Sequence, residues 1–308
     1  MTRSGRILIA LLAAGLSFST YACHAQGLIS LCGDAPCDVA CDGANCDRMS
    51  GPAFLFKWPG QPASDLRLNL SEPLVTDRPD FTEASSTVGL GVTQLEFGYT
   101  FTTDNEGPGS SDAHSYPELL VRRGFFRDWL ELRIAYNAGS VDAAGAEFTG
   151  SKDLYLGTKI GITPQCGWLP EMALIPQMTV PSGSSELTSD TVLPGLNWLY
   201  GWDVTDSISF AGSTQFNRAI DGVSANQYTQ WAQSLTVGAS LADTVGAYTE
   251  WFAFFPEGAD ADPVEHYLNG GLTKQYGINI QWDVRGGVGL NDAADDFFVG
   301  TGLSIRFL

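Results

Sequence analysis

The C-terminal stretch from Asp296 to Leu308 alternates between two kinds of side chain with a period of two. One face carries Phe297, Val299, Thr301, Leu303, Ile305 and Phe307, and the other carries Phe298, Gly300, Gly302, Ser304 and Arg306. Because successive side chains of a β-strand point to opposite faces, this pattern predicts a strand with one apolar face. Its length suits the ~9–11 residues with which a tilted strand crosses a bilayer. A transmembrane β-barrel and a half-buried strand of a soluble sandwich both remain open from this stretch alone.

The first 25 residues have the three-part layout of a secretory signal peptide. Arg3 and Arg6 precede an apolar run from Ile7 to Phe18, and small residues follow. We expect cleavage after Ala25, and a lipoprotein anchored at Cys23 is the less favoured alternative. The run is shorter than the ~20 apolar residues of a membrane helix, and no later segment approaches that length. The mature chain is therefore predicted to be exported, and it could enter a membrane only as a closed barrel, which satisfies every backbone hydrogen bond.

The net charge of the predicted mature chain is strongly negative. Removing residues 1–25 takes away two arginines and no acid, which leaves 14 basic and 35 acidic residues and a formal charge of −21. This charge argues against nucleic acid and anionic membrane surfaces as partners. The chain contains 35 glycines and eight tryptophans and shows no helical periodicity. These features together predict an all-β fold.

A cysteine-dense acidic segment spans residues 26–50. Cys32, Cys37, Cys41 and Cys46 form a C-x4-C-x3-C-x4-C pattern. Closely spaced cysteines of an exported protein usually pair, so disulfides are favoured over a zinc site, which normally uses C-x2-C spacing. We expect a stapled periplasmic cap that holds no metal and no cofactor. Cys166 is then expected to remain unpaired.

The segment after this cap is Pro- and Gly-rich and ends in a short charged motif. Residues 51–92 are predicted to be a linker and lead-in. Around Pro79 stand the charged residues of a possible periplasmic-mouth segment, which are Asp77, Arg78, Asp80 and Glu83. This segment either forms a partial plug in the mouth of the barrel or is a solvated lead-in.

Two stretches resemble a known family. TDRPDFTE followed by QLEFGYTF near the start, and the tail from His266 to Phe307, are similar to the MetA-pathway phenol-degradation family of outer-membrane proteins. The resemblance covers about Leu74 to Leu308. It implies an outer-membrane β-barrel that moves small, often aromatic, molecules, and it assigns no functional residues. The Cys-rich cap lies outside the family pattern, and Leu308 departs from the usual terminal aromatic residue.

Twelve strands are predicted between residues 93 and 308. Their ranges are 93–102, 115–123, 129–138, 152–162, 169–180, 191–204, 208–217, 228–241, 245–255, 264–273, 278–289 and 296–307. Long connections (103–114, 139–151, 181–190, 218–227, 256–263 and 290–295) alternate with short ones (124–128, 163–168, 205–207, 242–244 and 274–277). Outer-membrane barrels have short periplasmic turns and longer external loops, whereas a Greek-key sandwich would not give this strict alternation. The even strand count places both termini in the periplasm.

Seven tryptophans agree with an up-and-down transmembrane barrel. They lie in or beside predicted strands, several near strand ends, where interfacial aromatic girdles would place them. They are Trp129, Trp168, Trp198, Trp202, Trp231, Trp251 and Trp282. Core packing in a soluble protein is the alternative.

Charged side chains are predicted to face the lumen. A Lys or Arg facing lipid at the bilayer midplane costs ~2–4 kcal/mol, so these residues must point inwards if the barrel forms. The predicted lumen-lining residues are Glu96, Glu118, Arg122, Glu131, Arg133, Lys159, Asp203, Glu250, Asp283 and Arg285, and Lys152 is a further candidate. Such rings of charge either select solutes in an open path or form a salt-bridged, filled interior. We favour the open path.

The sequence therefore predicts a channel for passive transport of small, aromatic or hydrophobic, solutes. A non-conducting structural or adhesion barrel is the alternative. A hydrolase is disfavoured, because the mature chain has only His114 in a predicted loop and His266 on an apolar face, with no serine expected near the latter. The expected partners are outer-membrane lipid, a small-molecule solute and the outer-membrane barrel assembly machinery, with no nucleic acid.

Overall fold

The computed structural model describes residues 54–57, 70–105, 110–143 and 146–308. The predicted signal peptide (1–25) and Cys-rich cap (26–50), with Cys32, Cys37, Cys41 and Cys46, lie outside these ranges. Within them, no helix is both long and apolar enough to cross a membrane. Cys166 is disulfide-bonded, so the expectation that it remains unpaired is wrong.

Fifteen β-strands form one antiparallel sheet in the described ranges. They are β1 (Thr93–Asp104), β2 (Ser111–Ser115), β3 (Leu119–Gly124), β4 (Leu130–Tyr136), β5 (Ala138–Ala143), β6 (Ala146–Ser151), β7 (Leu154–Thr163), β8 (Glu171–Val180), β9 (Leu193–Thr205), β10 (Ile208–Ile220), β11 (Gln227–Ala242), β12 (Val245–Glu257), β13 (Glu265–Tyr276), β14 (Ile280–Gly289) and β15 (Phe297–Phe307).

The sheet closes on itself between the last strand and the first. β15 pairs with β1 from Thr93↔Phe307 to Thr103↔Phe297, so the first and last strands meet in an unbroken ladder. In three places a short break divides one long strand into two segments, which are β2 and β3, β4 and β5, and β6 and β7. When each such pair is counted as one strand, the wall is a closed barrel of twelve antiparallel strands, as the sequence predicts.

Three strands lie where the sequence predicts loops. β2 falls in the predicted loop 103–114, and β5 and β6 fall in the predicted loop 139–151. β2 pairs with the end of β1 and with β5, and β5 pairs with β6, so these strands extend the wall. Their sequences are polar and Gly-rich, so they lack the alternation of apolar and polar residues from which strands are predicted. His114 consequently belongs to a strand and not to a loop.

Burial in the wall is inverted relative to a soluble protein. In β15, Phe297 and Val299 are 42% and 47% exposed, whereas Ser304 is fully buried. The same inversion holds in β4, where buried Glu131 and Arg133 alternate with exposed Leu132 and Ile134. A sandwich buries its apolar face, so this pattern excludes the sandwich. An apolar exterior around a polar interior is the pattern of a transmembrane β-barrel.

The two rims differ in their connections. One rim, called the short-turn rim, carries 125–129, 164–170, 206–207, 243–244 and 277–279, together with the start of β1 and the end of β15. The other, called the long-loop rim, carries among others 181–192, 221–226, 258–264 and 290–296. Trp129, Trp168, Trp202 and Trp282 lie at or near the short-turn rim, while Trp198, Trp231 and Trp251 lie farther along their strands.

Candidate pore and its lumen segment

Residues 70–92, called the lumen segment, run inside the barrel. Leu74 and Val88 are 2% and 6% exposed, and Thr82 between them is 4% exposed. The segment enters beside β14, where the backbone N–H of Leu74 donates to the carbonyl of Ile278 at 2.8 Å and Arg306 Nη2 donates to the carbonyl of Glu72 at the same distance. The alternative of a solvated lead-in is therefore wrong, and the segment lies deeper than a plug confined to the mouth.

Asp77 of the lumen segment lies among three cations of the wall. Lys159 Nζ lies 2.8 Å from Asp77 Oδ1, Arg122 Nε lies 3.3 Å from Oδ2, and Arg133 Nη1 also pairs with Oδ2. All three cationic side chains are at most 1% exposed. Buried charges are tolerated only when they are paired and hydrogen-bonded, so this arrangement accounts for the burial of all four groups.

Two wall carboxylates complete this cluster. Glu96 accepts from the backbone N–H of Asp77 at 3.1 Å and from Arg122 Nη1 at 3.1 Å. Glu131 accepts from Arg122 Nε at 2.8 Å and from the backbone N–H of Val88 at 2.9 Å. The wall therefore binds both the side chains and the backbone of the lumen segment.

Arg78 reaches the seam between the first and last strands. Its Nη1 lies 2.7 Å from Glu118 and its Nη2 lies 3.4 Å from Asp283. Gly98 and Gly302 are direct partners across the β1–β15 ladder. A Cβ at Gly302 would stand 2.3 Å from Arg78 Nε, and one at Gly98 would stand 2.5 Å from its Cζ. The glycine pair thus forms a notch that only the absence of side chains keeps open for the guanidinium.

Glu250 anchors the next part of the lumen segment through neutral donors. Its two oxygens accept the backbone N–H groups of Phe81 and Thr82, both at 2.7 Å. The hydroxyls of Thr82 and Thr236 and the amide of Asn269 also donate to it, at 2.6, 2.9 and 2.7 Å. Glu250 is 1% exposed, so these five donors substitute for its hydration.

Further contacts continue along the segment. Glu83 pairs with Arg133 and accepts from Asn197 Nδ2 at 2.8 Å. Ser85 donates to Glu171 at 2.7 Å, and Arg285 Nη1 donates to the carbonyl of Pro79 at 2.9 Å.

An aromatic cluster fills part of the lumen beside Phe81. Phe81 stacks on Phe252 with ring centroids 4.7 Å apart, and Phe252 stacks on Tyr267 at 4.8 Å. Phe254 and Phe298 pack against the same rings. These side chains point inwards from β12, β13 and β15, so this side of the lumen is closed by apolar packing.

Nine of the ten predicted lumen residues are buried or half-buried in the interior. Asp203 is exposed at the short-turn rim, where it lines the mouth of a lumen cavity and its backbone N–H donates to Gln165 at 2.7 Å. Lys152 is also exposed, and it lines a cavity on the long-loop side. The predicted set of lumen residues contains only charged side chains and omits the uncharged polar members of the inward face. These share the strand parity of their charged neighbours; they are Gln94, Asn197, Ser213, Ser234, Thr236, Asn269, Gln281 and Ser304.

Two cavities of the lumen lie on opposite sides of the lumen segment, and a third, of about 520 Å³ beside Gln177 and Asn217, lies at the long-loop rim. One, of about 440 Å³, opens towards the short-turn rim and is lined by Asp80, Asp203, Thr236, Tyr248 and other residues. The second, of about 530 Å³, lies towards the long-loop rim. It is lined by Leu119, Leu120, Ala135, Tyr155, Leu187, Leu193 and a set of charged residues that includes Glu83, Glu118 and Arg133. The lumen segment separates them, and Arg78 lines both.

The connection 181–192 folds over the second cavity. Asp153 accepts the backbone N–H groups of Ser182, Gly183 and Ser189 at 3.1, 3.0 and 2.9 Å, together with the Ser189 hydroxyl. This connection contributes Leu187 to the cavity lining. It therefore narrows the lumen from the long-loop side.

The two histidines expected in the mature chain contact aromatic residues. His114 Nδ1 lies 2.8 Å from the Tyr99 hydroxyl, and His266 lies beside Trp251 with ring centroids 5.9 Å apart. In the described part of the chain, no group of three or more His, Cys, Asp or Glu residues is arranged to hold a metal ion.

The family model described as "Putative MetA-pathway of phenol degradation" matches residues 76–307. A search of the curated proteins found no match. Similar solved structures include the translocator domain of the autotransporter NalP from Neisseria meningitidis, with 10% identity and a TM-score of 0.49 over 71% of this chain and 89% of that chain. The KdgM porin in complex with disordered oligogalacturonate has 12% identity and a TM-score of 0.46 over 70% and 99%. The NanC porin has 10% identity and a TM-score of 0.45 over 69% and 98%.

Proposed function

Because this chain belongs to the family described as the MetA pathway of phenol degradation, and its wall is a closed barrel, we propose that it is an outer-membrane channel for passive diffusion of small solutes. The observation that carries this proposal is the pair of cavities, about 440 and 530 Å³, on opposite sides of the lumen segment. A lumen packed with side chains along its whole length would contain no cavities of this size. The path that we propose joins these cavities through the barrel.

We propose that the solute is small and has an apolar or aromatic part. The family description supports this class by its reference to phenol degradation. The cavity on the long-loop side adds support, because Leu119, Leu120, Leu187, Leu193 and Tyr155 line it beside its charged residues. A site that binds a small organic molecule combines apolar and aromatic surface with polar groups that orient the molecule.

The proposed orientation places the short-turn rim and both ends of the barrel in the periplasm. Short periplasmic turns and longer external loops are the rule in outer-membrane barrels. The proposed partners are outer-membrane lipid around the exposed apolar wall and the barrel assembly machinery, which would receive the C-terminal strand ending at Phe307.

Planar-bilayer recording of the purified, detergent-refolded protein tests the channel. We expect discrete conductance steps in KCl, and we expect phenol added to the long-loop side to reduce the open-channel current. Folding is checked in the same preparation by comparing gel migration with and without boiling. A barrel that migrates as folded and gives no steps would contradict the channel.

A non-conducting structural barrel is the second candidate, and one observation favours it. Buried wall cations, among them Arg122, Arg133 and Lys159, pair with carboxylates around the lumen segment, so the segment is firmly bound. The same recording separates the two functions, since a structural barrel has no conductance. Enzymatic activity is not part of the proposal; lipase activity that disappears in His266→Ala would argue for the hydrolase alternative.

A further inference from the structure

We propose that the Arg78 side chain is the removable closure between the two cavities, and that it sets the charge preference of the open path. This inference rests on the proposed channel function. It assigns the closure to one side chain and leaves the backbone of the lumen segment in place when the path opens.

The position of Arg78 is the first support. Arg78 lines both the cavity towards the short-turn rim and the cavity towards the long-loop rim. Its side chain is 11% exposed, and its guanidinium bridges Glu118 of the connection between β2 and β3 to Asp283 of β14. A side chain that contacts both cavities and spans between two parts of the wall blocks passage between them.

The wall provides a place shaped for the guanidinium. The Gly98–Gly302 notch accepts Arg78 between β1 and β15, where a methyl group on either residue would overlap its atoms. An arginine without this notch would have to project farther into the lumen or leave its two carboxylates. The glycine notch of the wall and the two ion pairs therefore both hold the Arg78 side chain in the position that closes the path.

The lumen segment is held independently of Arg78. Before Arg78 in the chain, Asp77 is bound by Arg122, Arg133 and Lys159. After it, Glu250 binds the backbone of Phe81 and Thr82. Loss of the Arg78 side chain leaves all of these contacts intact. The expected result is a wider path through an otherwise unchanged barrel.

The charges around the short-turn cavity give the sign of the selectivity. Among the described residues that line it, Arg78 is the one base, and Asp80, Asp203 and Asp206 are the acids. Charged side chains around a pore set its preference between cations and anions. Without Arg78 the lining would carry only negative charge, so the preference for K⁺ over Cl⁻ should rise.

The test compares Arg78→Ala, Arg78→Lys and the parent protein in planar bilayers under a KCl gradient. Arg78→Ala is expected to raise single-channel conductance several-fold and to move the reversal potential towards the K⁺ value. Arg78→Lys keeps the charge but not the bidentate guanidinium, so its reversal potential should stay near the parent value. Arg127→Ala, which removes an exposed arginine of the turn 125–129, is the matched control and should behave as the parent.

The outcomes separate this inference from the proposed function. Equal conductance of Arg78→Ala and a conducting parent would show that the path bypasses Arg78, and it would overturn the inference while leaving the channel. A silent parent with a conducting Arg78→Ala would support the closure while counting against passive conduction by the parent protein. Silence of both folded proteins would overturn the channel and the inference together. If Arg78→Ala does not fold, Glu118→Gln weakens the hold on Arg78 and should raise the open probability; an unchanged open probability would count against the closure.

Discussion

At the scale of single residues, the interior is built from charges that satisfy one another. Asp77 bonds three cations, and Arg122 bonds Asp77, Glu96 and Glu131. Replacing a buried network as a whole can be nearly neutral, whereas removing one member leaves its partners uncompensated. The contribution of each residue therefore depends on which partners remain.

Asp77→Ala should destabilise the barrel strongly. The substitution leaves Arg122, Arg133 and Lys159 crowded together without their common carboxylate, and breaking a buried pair costs about 3–5 kcal/mol. Urea unfolding in lipid vesicles, followed by tryptophan fluorescence, measures the change. Asp243→Ala in the exposed turn 243–244 is the control. Equal midpoints for the two variants would show that the network does not stabilise the fold.

Gly302→Ala should also destabilise the protein, by overpacking. Its methyl group would overlap Arg78 Nε, and forced repacking of a filled interior costs about 1–3 kcal/mol. Gly286→Ala on β14 is the matched control, because a Cβ there meets only the carbonyl oxygen of Phe298, at an ordinary 3.7 Å. Thermal unfolding in detergent compares the two. A Gly302→Ala midpoint equal to that of Gly286→Ala would contradict the notch.

At the scale of elements, strand residues are distributed between a lipid-facing and a lumen-facing side, whereas the loops are held by hydrogen bonds. β11 shows the first rule, with exposed Leu235 and Leu241 alternating with buried Ser234 and Thr236. Asp221 shows the second, because it joins two long loops through backbone donors. The stability of each element can therefore be tested by a different kind of substitution.

Leu235→Arg should cost far more than Leu241→Arg. Leu235 lies near the centre of β11, and Leu241 lies near its end at the short-turn rim. Arginine facing lipid costs about 2–4 kcal/mol at the midplane and about 0–1 kcal/mol near the interfaces. Both leucines are well exposed, at 55% and 62%, so the two variants differ mainly in the depth of the arginine in the bilayer. Equal unfolding free energies in lipid vesicles would place the bilayer elsewhere on the wall.

The connection between loops 221–226 and 258–264 should weaken in acid. Asp221 accepts the backbone N–H groups of Ser224 at 2.7 Å and of Asp260 and Ala261 at 2.9 and 2.8 Å. These backbone donors hold the pKa of Asp221 below its ordinary value of 3.8. The stabilisation is therefore complete above that value and is lost as pH falls through the lower pKa of the folded protein.

Hydrogen exchange of loop 258–264, corrected for intrinsic rates, measures this effect. Protection in the parent should persist as pH falls to the ordinary Asp value and should decrease below it. Asp221→Asn should lose protection already at neutral pH, whereas Asp292→Asn in the loop 290–296 should not. Protection that is independent of pH in the parent, or unaffected by Asp221→Asn, would exclude this role.

At the scale of the whole molecule, the barrel is an inside-out fold closed around a segment of its own chain. The ladder from Thr93↔Phe307 to Thr103↔Phe297 joins the first strand to the last, and a bilayer requires such closure of any β structure that spans it. The lumen segment then supplies the interior contacts that a soluble protein would obtain from an apolar core. The proposed transport depends on how that segment shares the lumen with a solute.

The sequence by itself determined which side chains of the barrel wall face lipid and which face the lumen. A period of two assigns each strand residue to lipid or lumen, because the alternation of side chains is local. Nine of the ten charges that it assigns to the lumen are buried or half-buried there, and Asp203 lies at the short-turn rim. It could not reveal β2, β5 and β6, because their polar and Gly-rich sequences carry no lipid-facing signal.

Only the tertiary structure decided where the lumen segment lies and what each interior charge contacts. Arg78 and Asp283 are 205 residues apart in the chain, and Phe81 and Glu250 are 169 apart. A local pattern shows that a residue is charged and faces inwards, but its partner is chosen by the closure of the barrel. The pairing of charges, the glycine notch and the two separated cavities all follow from that closure.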